Sequence, residues 1–153
     1  MEIYRLSHAS YADLSGKGGL FGSGRWHIQG TLACYTASSR SLAALERLVH
    51  ESIEDMPKLN MMTIWVPDDA PILRYTEAQL PKGWDLLPDT GVARTFSASF
   101  YSDNEYLLLQ IPSAIIRDEY NYVINPLHKD FHRLSIVETK EYYYDSRIQK
   151  MIR

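Results

Sequence analysis

Apolar positions divide the chain into several short strands and one clear helix. Ile3 to Leu6 is β-compatible and leads into Ser15-Gly16-Lys17-Gly18-Gly19, where glycines permit positive φ and a flexible loop is expected. Thr31 to Thr36, following Gly30, is a compact apolar run, read as a buried strand that holds Tyr35 firmly. From Ser39 to about Ile53 the spacing turns helical: Leu42, Leu45, Val49 and Ile53 recur every three or four residues, with Ser38 or Ser39 available as N-cap. Helical geometry places Glu46 between Leu42 and Val49 on the apolar side, with Arg40, Arg47, Glu51 and Glu54 opposite. A carboxylate is thus expected to point inward.

Further strands are read at Asn60 to Val66, closed by Pro67-Asp68-Asp69, and, shorter, at Ile72 to Thr76. Leu80 to Asp85 reads as loop or one short turn, and Thr90 to Tyr101 as a helix carrying Val92, Phe96, Ser99 and Phe100 near helical spacing. The runs Tyr106 to Ile111 and Tyr120 to Ile124, each followed by proline, read as central or near-central strands. Leu134 to Val137 and Tyr142 to Tyr144 add a late strand or two, and Asp145 caps a short terminal helix. With no βαβ alternation and no repeat, the fold class is α+β: one domain over residues 1–153, a mixed central β-sheet with flanking helices.

Composition narrows the function classes. The chain is 45% hydrophobic and 23% charged, as a folded globular domain is. Its net charge of −3 is spread without a block of like sign, which argues against direct binding to nucleic acid. Cys34 is the only cysteine, so neither a disulfide framework nor a cysteine metal site is expected. No basic leader precedes an apolar run, and no stretch approaches the ~18 apolar residues of a membrane span. A cytoplasmic protein without a membrane segment is expected.

Several chemistries lack their signatures. There is no Walker loop and no Rossmann glycine fingerprint, and no strongly predicted helix follows Gly16, Gly18 and Gly19. His128 and His132 are four apart but follow Asn125-Pro126 without the intervening glutamate of a zinc helix, so surface or turn histidines are expected and no metal. Tyr142-Tyr143-Tyr144 reads as packing on a pleated strand.

Glu46 is the informative residue, because an inward carboxylate requires a charged or hydrogen-bonding partner. A salt bridge to Arg5 or Arg25 and a functional role are both open. Arg25 lies in Gly22-Ser23-Gly24-Arg25-Trp26, where small residues allow close backbone approach and a guanidinium offers a fork matched to phosphate; stacking on Trp26 is the alternative.

The succession Tyr4-Arg5-Leu6, Gly24-Arg25-Trp26, Gly30-Thr31, Cys34-Tyr35-Thr36 and Ala44-Leu45-Glu46 resembles the RES domain of bacterial toxin–antitoxin pairs. Leu80-Pro81-Lys82-Gly83-Trp84, Ile111-Pro112-Ser113-Ala114 and Asn121 to His128 are similar to its later blocks, so the likeness runs from about Ile3 to Arg147. Where the family commonly has Asn-Pro after the tryptophan, this chain has His27-Ile28, and the segment around Arg94 to Phe100 lacks the usual glycine and tryptophan.

The resemblance implies an ADP-ribosyltransferase-like fold around an NAD cleft, with NAD as substrate and no cofactor. It also implies a required set of Arg25, Tyr35 and Glu46. In that reading Glu46 stabilises positive charge developing on the ribose, Tyr35 orients the nicotinamide–ribose end and Arg25 pairs with the diphosphate. Arg5 is a second phosphate or ribose contact, and Ser113 either a hydroxyl donor in the pocket or a plain turn residue. The implied reaction is cleavage of NAD by water or phosphate. ADP-ribosylation of a cellular protein is the alternative, and a non-catalytic nucleotide- or partner-binding module a more distant one. The implied partner is an Xre-like helix-turn-helix antitoxin, in an oligomeric complex that carries any DNA contact.

Overall fold

The computed structural model describes residues 1–50 and 56–152. Among these, seven strands form one sheet: β1 (Glu2–His8), β2 (Cys34–Ala37), β3 (Leu59–Trp65), β4 (Ile72–Arg74), β5 (Leu108–Pro112), β6 (Tyr120–Ile124) and β7 (Ser135–Tyr142). The helices are α1 (Arg40–Leu48), α2 (Val92–Phe96), α3 (Ala98–Asp103) and α4 (Ser146–Met151). Strand order is β4-β5-β6-β2-β1-β3-β7. Only the β4–β5 pair is parallel, so the sheet is mixed and the class α+β, as the sequence pattern implies.

Side-chain alternation gives the sheet two unlike faces. On one, Ile3, Cys34, Met62, Ile64, Leu108 and Ile124 are wholly buried in a single cluster. Each large apolar side chain there contributes about 1.5–3 kcal/mol, so this face anchors the fold. The other face carries two separate clusters. Leu6, Ala37 and Met61 pack under Leu42, Ala43 and Ala44 of α1. Leu109, Ile111 and Val123 pack under Trp26, Trp84 and Phe100.

Several elements differ from their expected form for identifiable reasons. Residues 31–33 do not join β2, because Ala33 N–H donates to the Gly16 carbonyl at 3.3 Å and Thr31 N–H to that of Ile28 at 3.1 Å. The glycine loop contains a single 3₁₀ turn, Lys17–Leu20, entered through Gly16 at φ 67°. The expected helix over 90–101 breaks at Ser97. Its hydroxyl donates to the Trp26 carbonyl at 2.9 Å and back to that of Arg94 at 3.3 Å, competing with the helical ladder.

β7 is one eight-residue edge strand where two fragments were expected, and its side chains are mostly exposed, which hides its period. Ser39 caps α1 by accepting from Leu42 N–H at 3.1 Å, but the helix ends at Leu48 and Val49 is exposed. The expected extension through Glu51, Ile53 and Glu54 lies outside the described residues. Asp145 caps α4 as expected. The packing expected of the tyrosine run is present in part: Tyr142 and Tyr144 meet edge to face at 5.1 Å and Tyr144 Oη donates to the Ala44 carbonyl, whereas Tyr143 is exposed and the strand ends at Tyr142. Of the two histidines expected at the surface or in a turn, His128 is buried in the turn after β6 with Nδ1 accepting from Asp130 N–H at 3.1 Å, and His132 is exposed with its Nδ1 2.9 Å from the Lys129 carbonyl.

Candidate active site

The seam between the two clusters on the second face is polar. Asn121 of β6 pairs with Ala37 of β2 on one side and Ile111 of β5 on the other, joining a residue of each cluster. Glu46 reaches this seam from α1, half-buried, and its Oε1 accepts from Ser113 Oγ and from Asn121 Nδ2, each at 2.7 Å. The inward carboxylate expected from helical spacing is therefore present, but its recorded partners are neutral donors and not Arg5 or Arg25. Hydrogen bonds to a charged group contribute about 1.5–3 kcal/mol each, enough to hold one oxygen in place. Among the described residues no bond goes to Oε2, which leaves that oxygen as the one able to meet a ligand.

Ser113 fills both roles open to it. Its Oγ donates to Glu46 and accepts from the N–H groups of Ile115 and Ile116 at 3.0 and 3.1 Å, closing the turn after β5. Asn121 was missed as a site residue although a signal existed. It falls in step with Val123, so it is a polar side chain in the inward register of an apolar strand. A carboxylate only accepts, so the Asn121 amide turns Nδ2 toward Glu46, and its Oδ1 is buried without a partner.

Tyr35 projects from β2 on the same face, paired with Val123. Asn121, two residues before Val123, is therefore the diagonal cross-strand neighbour of Tyr35, about 7–8 Å away. Tyr35 Oη meets Trp26 N–H at 3.1 Å and His27 Nδ1 at 2.7 Å, tying the 22–27 loop to the sheet. Burial pushes the phenol well above its ordinary pKa, only partly offset by the Trp26 N–H, so it stays protonated. Gly24 lies directly over this contact: a Cβ there would meet Tyr35 Oη at 2.6 Å.

Arg25, in the same loop, donates through Nη1 to the Trp84 carbonyl and does not stack on Trp26, whose ring lies against Trp84 at 5.9 Å. Its charge acts on both the Tyr35 phenol and the Asp85 carboxyl. Asp85 is in turn bonded to Arg117, which holds it below the usual carboxylate range and also pairs with Glu77. Arg25 and Tyr35 are therefore neighbours, and Glu46, on the same sheet face, is hydrogen-bonded to Ser113 and Asn121.

Arg5 is not brought to that face. It pairs with Met62 on the side of Ile3 and Cys34, and its Nη1 donates to the Tyr35 backbone carbonyl at 3.2 Å. In this arrangement Arg5 braces β2 through the Tyr35 carbonyl. Two cavities, of ≈ 300 and ≈ 260 Å³, are lined by other residues, the first including Thr31, Arg94 and Tyr101 and the second Met56, Tyr142 and Gln149.

The fold that holds these residues is found in a solved structure. The chain is similar to one in the crystal structure of the M. tuberculosis MbcT–MbcA toxin–antitoxin complex, with a TM-score of 0.76 at 17% identity, over 99% of this chain and 88% of that one. The RES domain family matches residues 2–145. Toxin Res of Pseudomonas putida is 40% identical over 97% of this chain and 99% of its own, and the Prs ADP-ribosylating toxin of Sphingobium sp. is 37% identical over 89% and 86%. The chain belongs to the RES-domain family of toxins.

Proposed function

We propose that this toxin breaks the nicotinamide–ribose bond of NAD and depletes the cell of it. The observation that carries the reading is the Glu46 carboxylate, fixed through one oxygen by Ser113 and Asn121 with the other left open. In the reaction the C1′–N bond breaks and its electron pair leaves with nicotinamide, which departs neutral, while positive charge develops on the ribose. Glu46 Oε2 stabilises that charge and accepts from a ribose hydroxyl, the ring of Tyr35 orients the nicotinamide end, and Arg25 turns from the Trp84 carbonyl to the diphosphate. Water adding at C1′ gives ADP-ribose and a proton; phosphate gives the phosphorylated sugar. Ser113 acts through Glu46 and Arg5 through the Tyr35 strand.

The acceptor is a protein side chain in the second reading, supported by the name of the Sphingobium relative, an ADP-ribosylating toxin. One assay separates the two. Purified protein is incubated with NAD, with and without phosphate and with a cell lysate, and nicotinamide, ADP-ribose, its phosphate and labelled protein are resolved. Free products support NAD destruction, labelled protein supports transfer, and the absence of all of them overturns both.

In this reading the chain works in the cytoplasm and is held in check by an Xre-like antitoxin in an oligomeric complex. That the similar solved fold is part of a toxin–antitoxin complex supports a partner of this kind. Among the described residues no helix is long and apolar enough to cross a membrane. Co-expression with a neighbouring helix-turn-helix gene should abolish growth arrest and co-purify the two chains.

A further inference from the structure

His27 is buried in the loop that carries Arg25. Both ring nitrogens are engaged: Nε2 lies 2.8 Å from the Gly22 carbonyl and Nδ1 2.7 Å from Tyr35 Oη. A carbonyl only accepts, so Nε2 carries the proton, and in the neutral ring Nδ1 is then an acceptor. The short contact is therefore Tyr35 donating to His27, while the same hydroxyl accepts from Trp26 N–H at 3.1 Å. The phenolic proton is committed to the protein's own loop.

Gly24 closes over the pair. Its backbone N–H donates to the His27 carbonyl at 3.1 Å, and a Cβ would lie 2.7 Å from His27 Cε1 and Nδ1. The charged and titratable groups around the ring are Tyr35 from β2 and Arg94 from α2, with Arg25 and Asp89 acting on the Tyr35 side. Arg94 Nε donates to the Gly24 carbonyl at 3.0 Å, which fixes a positive charge near the imidazole.

We propose that His27, as the neutral Nε2–H tautomer, is a positioning residue that fixes Tyr35 and the Arg25 loop by accepting the Tyr35 hydroxyl proton. The catalytic part of this assignment rests on the proposed NAD reaction; the hydrogen-bond pair itself does not. Protonation of His27 converts Nδ1 into a donor and leaves the Tyr35 hydroxyl facing two donors. Burial, with Arg94 adding to it, outweighs the opposing hydrogen bond to the Gly22 carbonyl and holds the ring below its ordinary pKa, so the change belongs to pH values under the usual histidine range.

Two measurements test this. In the first, ¹⁵N-labelled histidine in the full chain is observed by NMR with and without Tyr35→Phe. A protonated Nε2, with an Nδ1 resonance that moves on loss of the Tyr35 hydroxyl, is expected; an Nδ1–H tautomer, or no change, overturns the pair. In the second, NAD turnover is followed against pH for the unsubstituted protein, His27→Asn and His27→Leu. Asparagine places Oδ1 near the position of Nδ1, so His27→Asn should keep kcat within about threefold and lose the acid-side fall. His27→Leu should lower kcat at least tenfold at neutral pH with KM little changed, in protein whose circular dichroism is unaltered. Full activity in folded His27→Leu, or an unchanged acid limb in His27→Asn, overturns the positioning role. If no protein consumes NAD while the NMR result holds, the proposed reaction fails, its catalytic role for His27 falls with it, and the pair stands.

Discussion

Ser113 and Asn121 converge on one atom, Glu46 Oε1, one from the turn that follows β5 and the other from β6, its antiparallel neighbour, each across 2.7 Å. The two donors fix a carboxylate whose helix belongs to one apolar cluster over a seam that borders the other. Replacing the acid by its amide tests what the charge does. Glutamine in Glu46→Gln can present its carbonyl oxygen to the same donors, so the melting temperature should stay within about 4 °C, the shift expected of roughly 1 kcal/mol in a chain this size. NAD turnover and growth arrest should fall at least ~10²-fold, as when one electrostatic contact to a transition state is lost. Retained toxicity in the folded variant would remove Glu46 from the mechanism.

The two donors should separate in a melting experiment. Ser113→Ala removes the donor to Glu46 and also the acceptor of two backbone N–H groups, at Ile115 and Ile116. These two N–H groups are only partly buried, so each costs at most about 1 kcal/mol when unpaired, and Ser113→Ala, which loses three bonds, should melt lower than Asn121→Ala. The asparagine change loses one bond but also removes an orphaned Oδ1. Both should lower kcat, because each frees the carboxylate to turn. Equal melting temperatures would show that the turn does not depend on the Ser113 hydroxyl.

Arg25 is expected to act on binding more than on folding. Its recorded bond is a single donation to the Trp84 carbonyl, while its charge acts toward Tyr35 and Asp85. Lysine keeps that charge but not the planar fork that matches a diphosphate. Arg25→Lys should therefore raise KM for NAD about tenfold, roughly 1.4 kcal/mol, with little change in melting temperature. The opposite outcome in steady-state kinetics and melting, an unchanged KM with a lower melting point, would assign Arg25 to holding the Trp84 loop.

What the sequence made legible followed strong periods. The spacing of Leu42, Leu45 and Glu46 puts a carboxylate on the inner side of α1, and that is where it lies. The run Tyr120 to Ile124 is a strand with those limits. What stayed hidden depends on contacts distant along the chain. Arg5 and Tyr35 each read as a site residue, but only the register of β1 against β3, Arg5 opposite Met62, shows that Arg5 faces away. The break at Ser97 follows from a hydroxyl finding the Trp26 carbonyl, 71 residues earlier. His27 was visible only as a departure; its bond to Tyr35 needs the turn that folds the loop onto β2.

The closeness of that turn gives the last prediction. A methyl group at residue 24 would stand 2.6 Å from Tyr35 Oη and 2.7 Å from the His27 ring, closer than van der Waals contact permits. Both neighbours are hydrogen-bonded on their far sides, Tyr35 to Trp26 N–H and His27 to the Gly22 carbonyl, so neither can yield freely. Gly24→Ala should cost about 1–3 kcal/mol, the usual range for overpacking, and lower the melting temperature by roughly 2–12 °C. Because part of the clash is with the tyrosine oxygen, Tyr35→Phe should relieve it. The double variant should then melt higher than the sum of the two single changes allows, a coupling measurable in a double-mutant cycle. Simple additivity would mean that the backbone at residue 24 moves away from Tyr35 without disturbing it, and that the loop is looser over the site than its hydrogen bonds indicate.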